Sequence, residues 1–303
     1  MAQNKSGIRS TIVQALASGS PLISDGAWGT MLHSSGLKPG EPPELWNLTN
    51  PDAVYEVARS YVEAGADMVE TNSFGGTRFK LEHYGLADRC GEINEAAAAL
   101  SRRAAGDSHW VIGSVGPTGK MLIMGDVTED ELYEAFLEQV TALERGGADA
   151  ICVETMSDID EARLAVRAAK ENTSLEVIAT FTFERTVQGE YRTMMGVDPI
   201  QATTAMLEAG ADIIGTNCGN GFERMIDIVN EIHQTFPAAP ILVHANAGLP
   251  VHEDGVDRYS DTPEIMAALA PKLVAAGASI VGGCCGTNPE YITAIRDALK
   301  EKL

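Results

Sequence analysis

Three of the five cysteines in the sequence stand beside glycines at the ends of apolar segments. Cys218 lies in GTNCGNG, and Cys284 and Cys285 are neighbours in GGCCGT. Adjacent strand residues point to opposite sides, so two neighbouring cysteines can share a target only where the strand breaks into a turn, which the flanking glycines permit. Three thiolates favour zinc, and a site with three protein ligands leaves one position for a substrate. The pattern therefore predicts a zinc site.

The other two cysteines have a different setting. Cys152 lies inside the apolar run AICVE, and Cys90 lies at a predicted helix start, so we expect both to be small buried side chains. An odd number of cysteines, two of them adjacent, is a poor disulfide framework and fits a reducing compartment. The first twenty residues lack the apolar core of a secretory signal. A cytoplasmic location is the resulting expectation.

Composition limits the classes of partner. The 303 residues include 22 basic and 43 acidic ones, for a formal charge of -21, and 45% are hydrophobic. Such a charge repels nucleic acid and anionic membranes, although it also fits a solvated outer surface of helices. No apolar run approaches the roughly 20 residues that span a bilayer. The sequence predicts a globular protein that binds neither nucleic acid nor membrane.

A short pattern, Gly-Ala-Asp or Gly-Ala-Ser followed by an apolar run, recurs four times along the chain. Each copy follows an amphipathic stretch, so the glycine is interpreted as a helix cap and the run as a buried strand. The copies are AGADMVET (64–71), GGADAICVET (146–155), AGADIIGTNCG (209–219) and AGASIVGGCCG (276–286). Further apolar runs at 21–29, 110–117, 175–183 and 239–248 bring the predicted strands to eight.

Eight strands alternating with helices predict one α/β domain, a single (β/α)8 TIM barrel over residues 1–303. A doubly wound open sheet is the alternative, but DGAWGT is not its phosphate-binding fingerprint. Helix starts are predicted at Asn50-Pro51, Asp198-Pro199, Thr262-Pro263 and Asn288-Pro289, with a capping box at Thr128 and Glu131. The longest irregular stretches, 29–49 and 184–197, follow strands and are predicted to be lids or substrate-binding loops.

The cysteine segments and several other stretches resemble the homocysteine S-methyltransferase family, including the N-terminal module of cobalamin-dependent methionine synthase. The resemblance runs nearly end to end. The other matching stretches are ISDGAWGTML (23–32), ETNSFGGTRFKLEHYGL (70–86), SVGPTG (114–119), VET (153–155), NAGLP (246–250) and TPEIMA (262–267).

This resemblance implies that Cys218, Cys284 and Cys285 hold zinc and that the substrate sulfur becomes its fourth ligand. It implies methyl transfer to homocysteine, giving methionine, with a methylcorrinoid on a partner protein as donor. Betaine or S-methylmethionine as donor, a different small thiol as acceptor, and a non-catalytic zinc or corrinoid-docking barrel are the alternatives. A zinc hydrolase is disfavoured, because hydrolases use histidine and carboxylate ligands.

An amino-acid thiol also presents an ammonium and a carboxylate. Asp25 and Glu154, each at the end of a predicted strand, suit the ammonium and match family positions that bind homocysteine. The alternative role of both residues is capping or a solvated strand end. The N–H groups of Gly26 and Ala27 are expected to meet the substrate carboxylate, because glycine allows close approach.

Further pocket residues are expected at other strand ends. Glu70, Thr71 and Asn72 are predicted to form pocket wall, although alternation prevents all three from facing inward. Asn246 matches a family position that touches the metal when substrate is absent, and a turn asparagine is the alternative.

Two positions depart from the family pattern. VHANAG places His244 and Ala245 where an aromatic-proline pair is frequent, and DGAWGT carries Trp28 where smaller residues are common. His244 either lines the pocket or fills the core. Both departures leave the thiol and the methyl donor open.

Overall fold

The computed structural model describes residues 10–253 and 256–300, with the backbone alone for residues 251–253 and 256–258. Its main sheet has eight parallel strands in the order β1-β8-β7-β6-β5-β4-β3-β2. These are β1 (Leu22–Ile23), β2 (Met68–Glu70), β3 (Trp110–Val115), β4 (Ala150–Met156), β5 (Glu176–Phe181), β6 (Ile213–Asn217), β7 (Ile241–Ala245) and β8 (Ile280–Gly283). The Asp67 N–H donates to the Ile23 carbonyl at 2.7 Å and joins the first two strands. The predicted (β/α)8 barrel is confirmed.

One long helix follows each strand. These are α1 (Pro51–Ala64), α2 (Cys90–Ala105), α3 (Glu129–Gly146), α4 (Ile159–Asn172), α5 (Pro199–Ala209), α6 (Phe222–Thr235), α7 (Pro263–Ala275) and α8 (Pro289–Lys300). Short helical segments cover Ile12–Leu16, Trp28–Ser34, Pro43–Leu45, Trp46–Thr49, Arg78–Glu82, Ala87–Arg89 and Leu122–Met124. Two hairpins pair Glu184–Arg185 with Tyr191–Arg192 and Pro250–Glu253 with Val256–Tyr259. Among the described helices, none has the length and hydropathy needed to cross a bilayer.

The repeated Gly-Ala-Asp pattern has a direct structural role. The glycine of each copy adopts a positive φ after its helix, and the aspartate lies at the start of the following strand. That aspartate bonds the preceding strand twice, donating from its N–H to a carbonyl and accepting an N–H with its carboxylate. The pairs are Asp67 with Ile23, Asp149 with Val111, and Asp212 with Val177, while Ser279 repeats the arrangement with Ile241 through its hydroxyl. The repeat therefore fixes the register of alternate strand pairs.

The helix starts follow the sequence signals. Four helices begin at Pro51, Pro199, Pro263 and Pro289, and the capping box of Thr128 with Glu131 is present. The side chain of Asp198 caps its helix, whereas those of Asn50 and Thr262 make no cap hydrogen bond. The stretch 29–49 is largely helical rather than irregular, because Trp28–Ser34 and Pro43–Thr49 form short helical turns.

Apolar side chains from the strands fill the barrel interior. Ile12 of the N-terminal helix is fully buried against this layer and closes the end of the barrel opposite the strand termini. Cys152 belongs to the same layer and Cys90 to a separate small apolar cluster, so both are buried as predicted. The polar side chains that remain inside the barrel gather at the carboxyl ends of the strands.

Candidate metal centre and substrate cavity

The three glycine-flanked cysteines come together at the carboxyl end of the barrel. The sulfur atoms of Cys218, Cys284 and Cys285 all lie within 4.8 Å of one another, and those of Cys284 and Cys285 are 4.0 Å apart. All three thiols are free of disulfides. Zn–S bonds of about 2.3 Å in a tetrahedral arrangement separate their sulfurs by roughly 3.8 Å. The donor set therefore fits one zinc ion in both chemistry and spacing.

Both cysteine segments are held by the end of β7, which lies between β6 and β8. The Cys218 N–H donates to the His244 carbonyl at 2.9 Å, and the Cys284 N–H donates to the Ala245 carbonyl at 2.6 Å. Cys218 has a φ of 59°, which turns the chain out of the strand direction. The Ala247 N–H donates to the Cys285 carbonyl at 3.0 Å. These bonds turn two distant segments toward one point.

Without a metal, the three thiols share their protons unevenly. The Cys284 and Cys285 thiols donate to the Cys218 sulfur and lower the Cys218 pKa to about 3, while the pKa of Cys284 rises well above its ordinary value. Asn246 also contributes a hydrogen bond to Cys218, and its buried Oδ1 has no hydrogen-bond partner within the described chain. The cluster is therefore anionic at neutral pH and holds an unpaired oxygen beside it, as expected of a cation site.

A cavity of about 350 Å³ opens beside the sulfur atoms. Its wall includes the loop after β1, the short helical segment at Pro43–Leu45 and the loop after β2, whose Asn72 donates to the Pro43 carbonyl. Its lining comprises Gly26, Ala27, Trp28, Gly29, Thr30, Pro43, Glu44, Glu70, Thr71, Asn72, Ser73, Phe74, Ser114, Glu154, Thr155, Cys218, His244, Gly283, Cys284 and Cys285. The volume accommodates a small amino acid together with a reacting group.

Buried ionisable groups surround the inner end of the cavity. Burial raises the pKa of Asp25 and of Glu70 to about 7 each. Burial and the nearby Glu70 raise the pKa of Glu154 well above its ordinary value. Burial lowers the pKa of His244, whose Nδ1 lies 3.5 Å from Glu70 Oε1. Carboxyl groups this close are stabilised by a cation between them.

Glu154 is the carboxyl group best placed to bind such a cation. It lines the cavity, the Ser114 hydroxyl donates to its Oε1, and the Asn217 amide donates to its Oε2 at 3.1 Å. These neutral donors orient the Glu154 carboxyl group but supply no positive charge, so a bound ammonium group would provide the charge that favours its ionised form.

Asp25 lies behind the cavity wall rather than on it. Its side chain is 1% exposed, and its Oδ2 accepts from the Trp28 indole at 2.9 Å and from the Glu70 N–H at 2.8 Å. Two protein donors thus already bind this oxygen, and the expected contact between Asp25 and the ammonium stays a prediction. Trp28 lines the cavity and holds Asp25 in place, because its indole N–H donates to the Asp25 carboxyl group.

Other residues expected to bind substrate also lie at the cavity. Gly26, Ala27 and Glu70 line it. The Ala27 N–H donates to Thr287 Oγ1 at 3.1 Å, and its contact with a substrate carboxylate stays a prediction. Asn72 also lines the cavity, but its amide donates to the Pro43 carbonyl and to Asn47 Oδ1. Asn72 therefore holds the segment from Pro43 to Asn47 against the end of β2.

The sequence interpretation missed several residues of the site. Ser114 and Asn217 bind Glu154, and Thr155 lines the cavity with a φ of 59°. All three lie in stretches already singled out, SVGPTG, GTNCG and VET, and those stretches were the available signal. The predicted loop at 184–197 contributes none of the described lining residues, whereas 29–49 contributes four.

Comparisons with known proteins agree with the fold and indicate the family. A family model described as homocysteine S-methyltransferase matches residues 22–299. A methionine synthase of Mycobacterium tuberculosis is 33% identical over 296 residues, and that of Mycobacterium leprae is 32% identical over 297. Each alignment covers 92% of this chain and 24% of the relative, so the chain spans about a quarter of the length of these relatives.

Solved structures share the barrel. The metallated homocysteine methyltransferase MmuM of Escherichia coli is 23% identical, with a TM-score of 0.77 and coverage of 94% of this chain and 99% of that one. A methyltransferase from Methanosarcina mazei is 12% identical, with a TM-score of 0.61 and coverage of 96% and 97%. At these identities the likeness shows the fold alone.

Proposed function

Since the chain belongs to the homocysteine S-methyltransferase family, we propose that it transfers a methyl group to the thiol of homocysteine and so forms methionine. The observation that carries this proposal is the convergence of three cysteine sulfurs beside a cavity that also contains Glu154 and Glu70. In such a cavity, a cation held by the cysteines can bind the substrate thiol, and the carboxyl groups can bind the substrate ammonium.

We propose zinc as the metal, held by Cys218, Cys284 and Cys285. Bound there, zinc would keep the substrate thiol deprotonated at neutral pH, where a free thiol is mostly protonated. Three thiolates also give the centre a negative charge, which leaves the substrate sulfur electron-rich.

The protein side chains orient the acceptor. Glu154, fixed by Ser114 and Asn217, binds the ammonium, and Glu70 contributes a second carboxylate to the same end of the cavity. With the acceptor in place, a sulfur lone pair forms the new bond to the methyl carbon. The bond between methyl and donor breaks, and its electron pair stays with the donor.

A methylcorrinoid on a partner protein is the donor we propose. Large apolar side chains stand exposed on the loops that follow β2, β3 and β5, around the end of the barrel where the cavity opens. Among them, Ile123, Met124 and Met194 are 77%, 73% and 84% exposed, and Phe74 also lines the cavity. Exposed apolar side chains that share one face indicate a surface that another protein covers. Betaine and S-methylmethionine, which are small enough to enter the cavity, are the alternative donors.

A methyl-transfer assay tests the function. Zinc-loaded protein is mixed with homocysteine and each donor in turn, with and without the methylcorrinoid, and methionine is measured by mass spectrometry. We expect methionine only with the acceptor, a donor and zinc together, and its loss after chelation. Zinc bound without turnover on any donor would support a docking barrel instead, and cleavage by water without thiol would support a hydrolase.

A further inference from the structure

Asn217, the last residue of β6, uses its whole side-chain amide inside the site. Its Oδ1 accepts hydrogen bonds from the Thr155 N–H and the Thr180 hydroxyl, both at 2.8 Å. Its Nδ2 donates to Thr155 Oγ1 at 2.7 Å and to Glu154 Oε2 at 3.1 Å. A primary amide has two acceptor sites and two donor hydrogens, so its capacity is filled. At 1% exposure, the amide is shielded from water that could replace these partners.

These bonds hold an irregularity in β4. Val153 pairs with Ala179 but Met156 pairs with Phe181, so β4 contains one residue more than β5 over this interval. The extra residue accompanies the positive φ of Thr155, a conformation that is rare for a β-branched side chain and persists only where its surroundings fix it. Bulges of this kind redirect side chains near active sites. Asn217 binds the N–H and the hydroxyl of Thr155 and thereby fixes the direction of Glu154.

The backbone of Asn217 leads directly into the sulfur cluster. Its carbonyl accepts a hydrogen bond from the Thr182 hydroxyl at 2.8 Å, and the next residue is Cys218. Cys218 itself has a positive φ and is bonded to the end of β7. Asn217 therefore connects two groups that line the cavity, the Glu154 carboxyl through its side chain and the Cys218 sulfur through its backbone.

We propose that Asn217 is a positioning residue that fixes the separation between the Glu154 carboxylate and the Cys218 sulfur, and so selects acceptors by the spacing of ammonium and thiol. The proposal rests on the proposed function, because it assumes that Glu154 binds the ammonium of a metal-bound thiol. Without the Asn217 amide, Glu154 loses the donor that holds its direction. Homocysteine should then bind no better than a thiol that lacks the amino group. A thiol without an amino group does not use Glu154 and loses nothing.

Binding calorimetry on the zinc-loaded protein tests this inference. Homocysteine is compared with 4-mercaptobutanoate, which has the same chain without the amine. We expect Asn217→Asp to weaken homocysteine binding about tenfold, as for loss of a charge-assisted hydrogen bond, and to change 4-mercaptobutanoate binding less than about twofold. Asn217→Ser, which adds no charge, is measured in parallel and gives the same loss of preference. The matched control is Thr216→Val, because the buried Thr216 hydroxyl has no hydrogen-bond partner in the described chain.

A double-mutant cycle separates positioning from general damage. If Asn217 acts through Glu154, adding Asn217→Ser to Glu154→Gln causes little further loss of homocysteine binding. Equal weakening of both thiols, full additivity, or loss of zinc in both Asn217 variants overturns the inference. A wild-type protein that binds zinc but not homocysteine contradicts the proposed function instead, so the two failures are distinguishable.

Discussion

At the scale of single residues, the site brings together thiol and carboxyl groups whose negative charges repel one another unless a cation is bound. Three cysteine sulfurs converge on one point, and three buried carboxyl groups lie near one imidazole. Burial, together with the nearby Glu70 in the case of Asp25, raises the pKa of Asp25 and of Glu70 to about 7. A bound metal and a bound ammonium are the charges that would compensate the two groups of anions.

The sulfur cluster gives the first prediction. We expect Cys285→Ser to lose most of the zinc and all methyl transfer, because a hydroxyl is a poor ligand for zinc beside thiolates. Cys152→Ser is the matched control, since Cys152 is buried away from the cluster. It should keep its zinc and lose about 1–3 kcal/mol of stability through a buried hydroxyl. Zinc content and thermal melting measure both, and full activity in Cys285→Ser would refute the metal assignment.

The Asp25 carboxyl gives a prediction about pH. Its pKa is about 7 in the folded chain against 3.8 ordinarily, so the folded state binds this proton more tightly than the unfolded state. The resulting stabilisation is complete below 3.8 and is lost as the pH rises through about 7. Asn at this position keeps an oxygen for Trp28 and the Glu70 N–H. We therefore expect Asp25→Asn to gain stability relative to the wild type between pH 5 and pH 8, by about 1.4 kcal/mol for each pH unit up to about pH 7 and little above it.

Urea unfolding of the metal-free protein at the two pH values measures this gain. Glu82→Gln, at an exposed position, is the control and should show the same pH dependence as the wild type. A wild-type protein whose stability relative to Asp25→Asn is independent of pH would show that the Asp25 carboxyl is ionised throughout.

At the scale of elements, the Gly-Ala-Asp repeat connects each even-numbered strand with the strand before it. The connection matters most for β1, which has two residues and pairs with β8 on its other side. Asp67 supplies both its backbone N–H and its carboxylate to Ile23. The first loop, which carries Trp28 and the cavity wall, depends on this junction.

Asp67→Ala therefore leaves the Ile23 N–H without its acceptor at the barrel junction. We expect a loss of about 1–3 kcal/mol in the free energy of unfolding, the cost of an unpaired buried donor. Asp67→Asn keeps an oxygen in the same place and should lose less. Urea denaturation distinguishes the variants, and equal stabilities would mean that pairing with β8 alone is sufficient to hold β1.

At the scale of the whole molecule, the two ends of the barrel differ. One end is closed by Ile12 of the N-terminal helix, whereas the other has the cavity and the exposed apolar loops. The overall charge of -21 opposes association with anionic surfaces. A partner that carries the methyl group would have to approach the open end.

A substitution at Ile123 tests whether a partner protein approaches the open end of the barrel. We expect Ile123→Lys to reduce transfer from a protein-bound methylcorrinoid about tenfold, because a charge replaces an apolar contact at a covered surface. Transfer from a small donor should be unchanged. Val13→Lys, at an exposed apolar position on the opposite end, is the control and should affect neither. Rates that are equal for all variants with the protein-bound donor would exclude the loop after β3 from the docking surface.

The sequence predicted the features that depend on residue type and short spacing. The barrel followed from a repeat whose glycine and aspartate each have a local function, and the sulfur cluster followed from cysteines beside glycines at strand ends. The position of Asp25 and the role of Asn217 were not predictable in this way. Both depend on which side of a strand end faces the cavity, and in β4 that is decided by a bulge stabilised from β6, two strands away.

The His244 carbonyl accepts a hydrogen bond from the Cys218 N–H, and the Ala245 carbonyl accepts one from the Cys284 N–H. The end of β7 is thus the shared support of the two cysteine segments. Cys218 also continues from Asn217, whose amide binds Glu154. A packing change at the His244-Ala245 pair would therefore reach the sulfur cluster first and the Glu154 carboxyl through Asn217, so variation at this pair is constrained from both sides of the site.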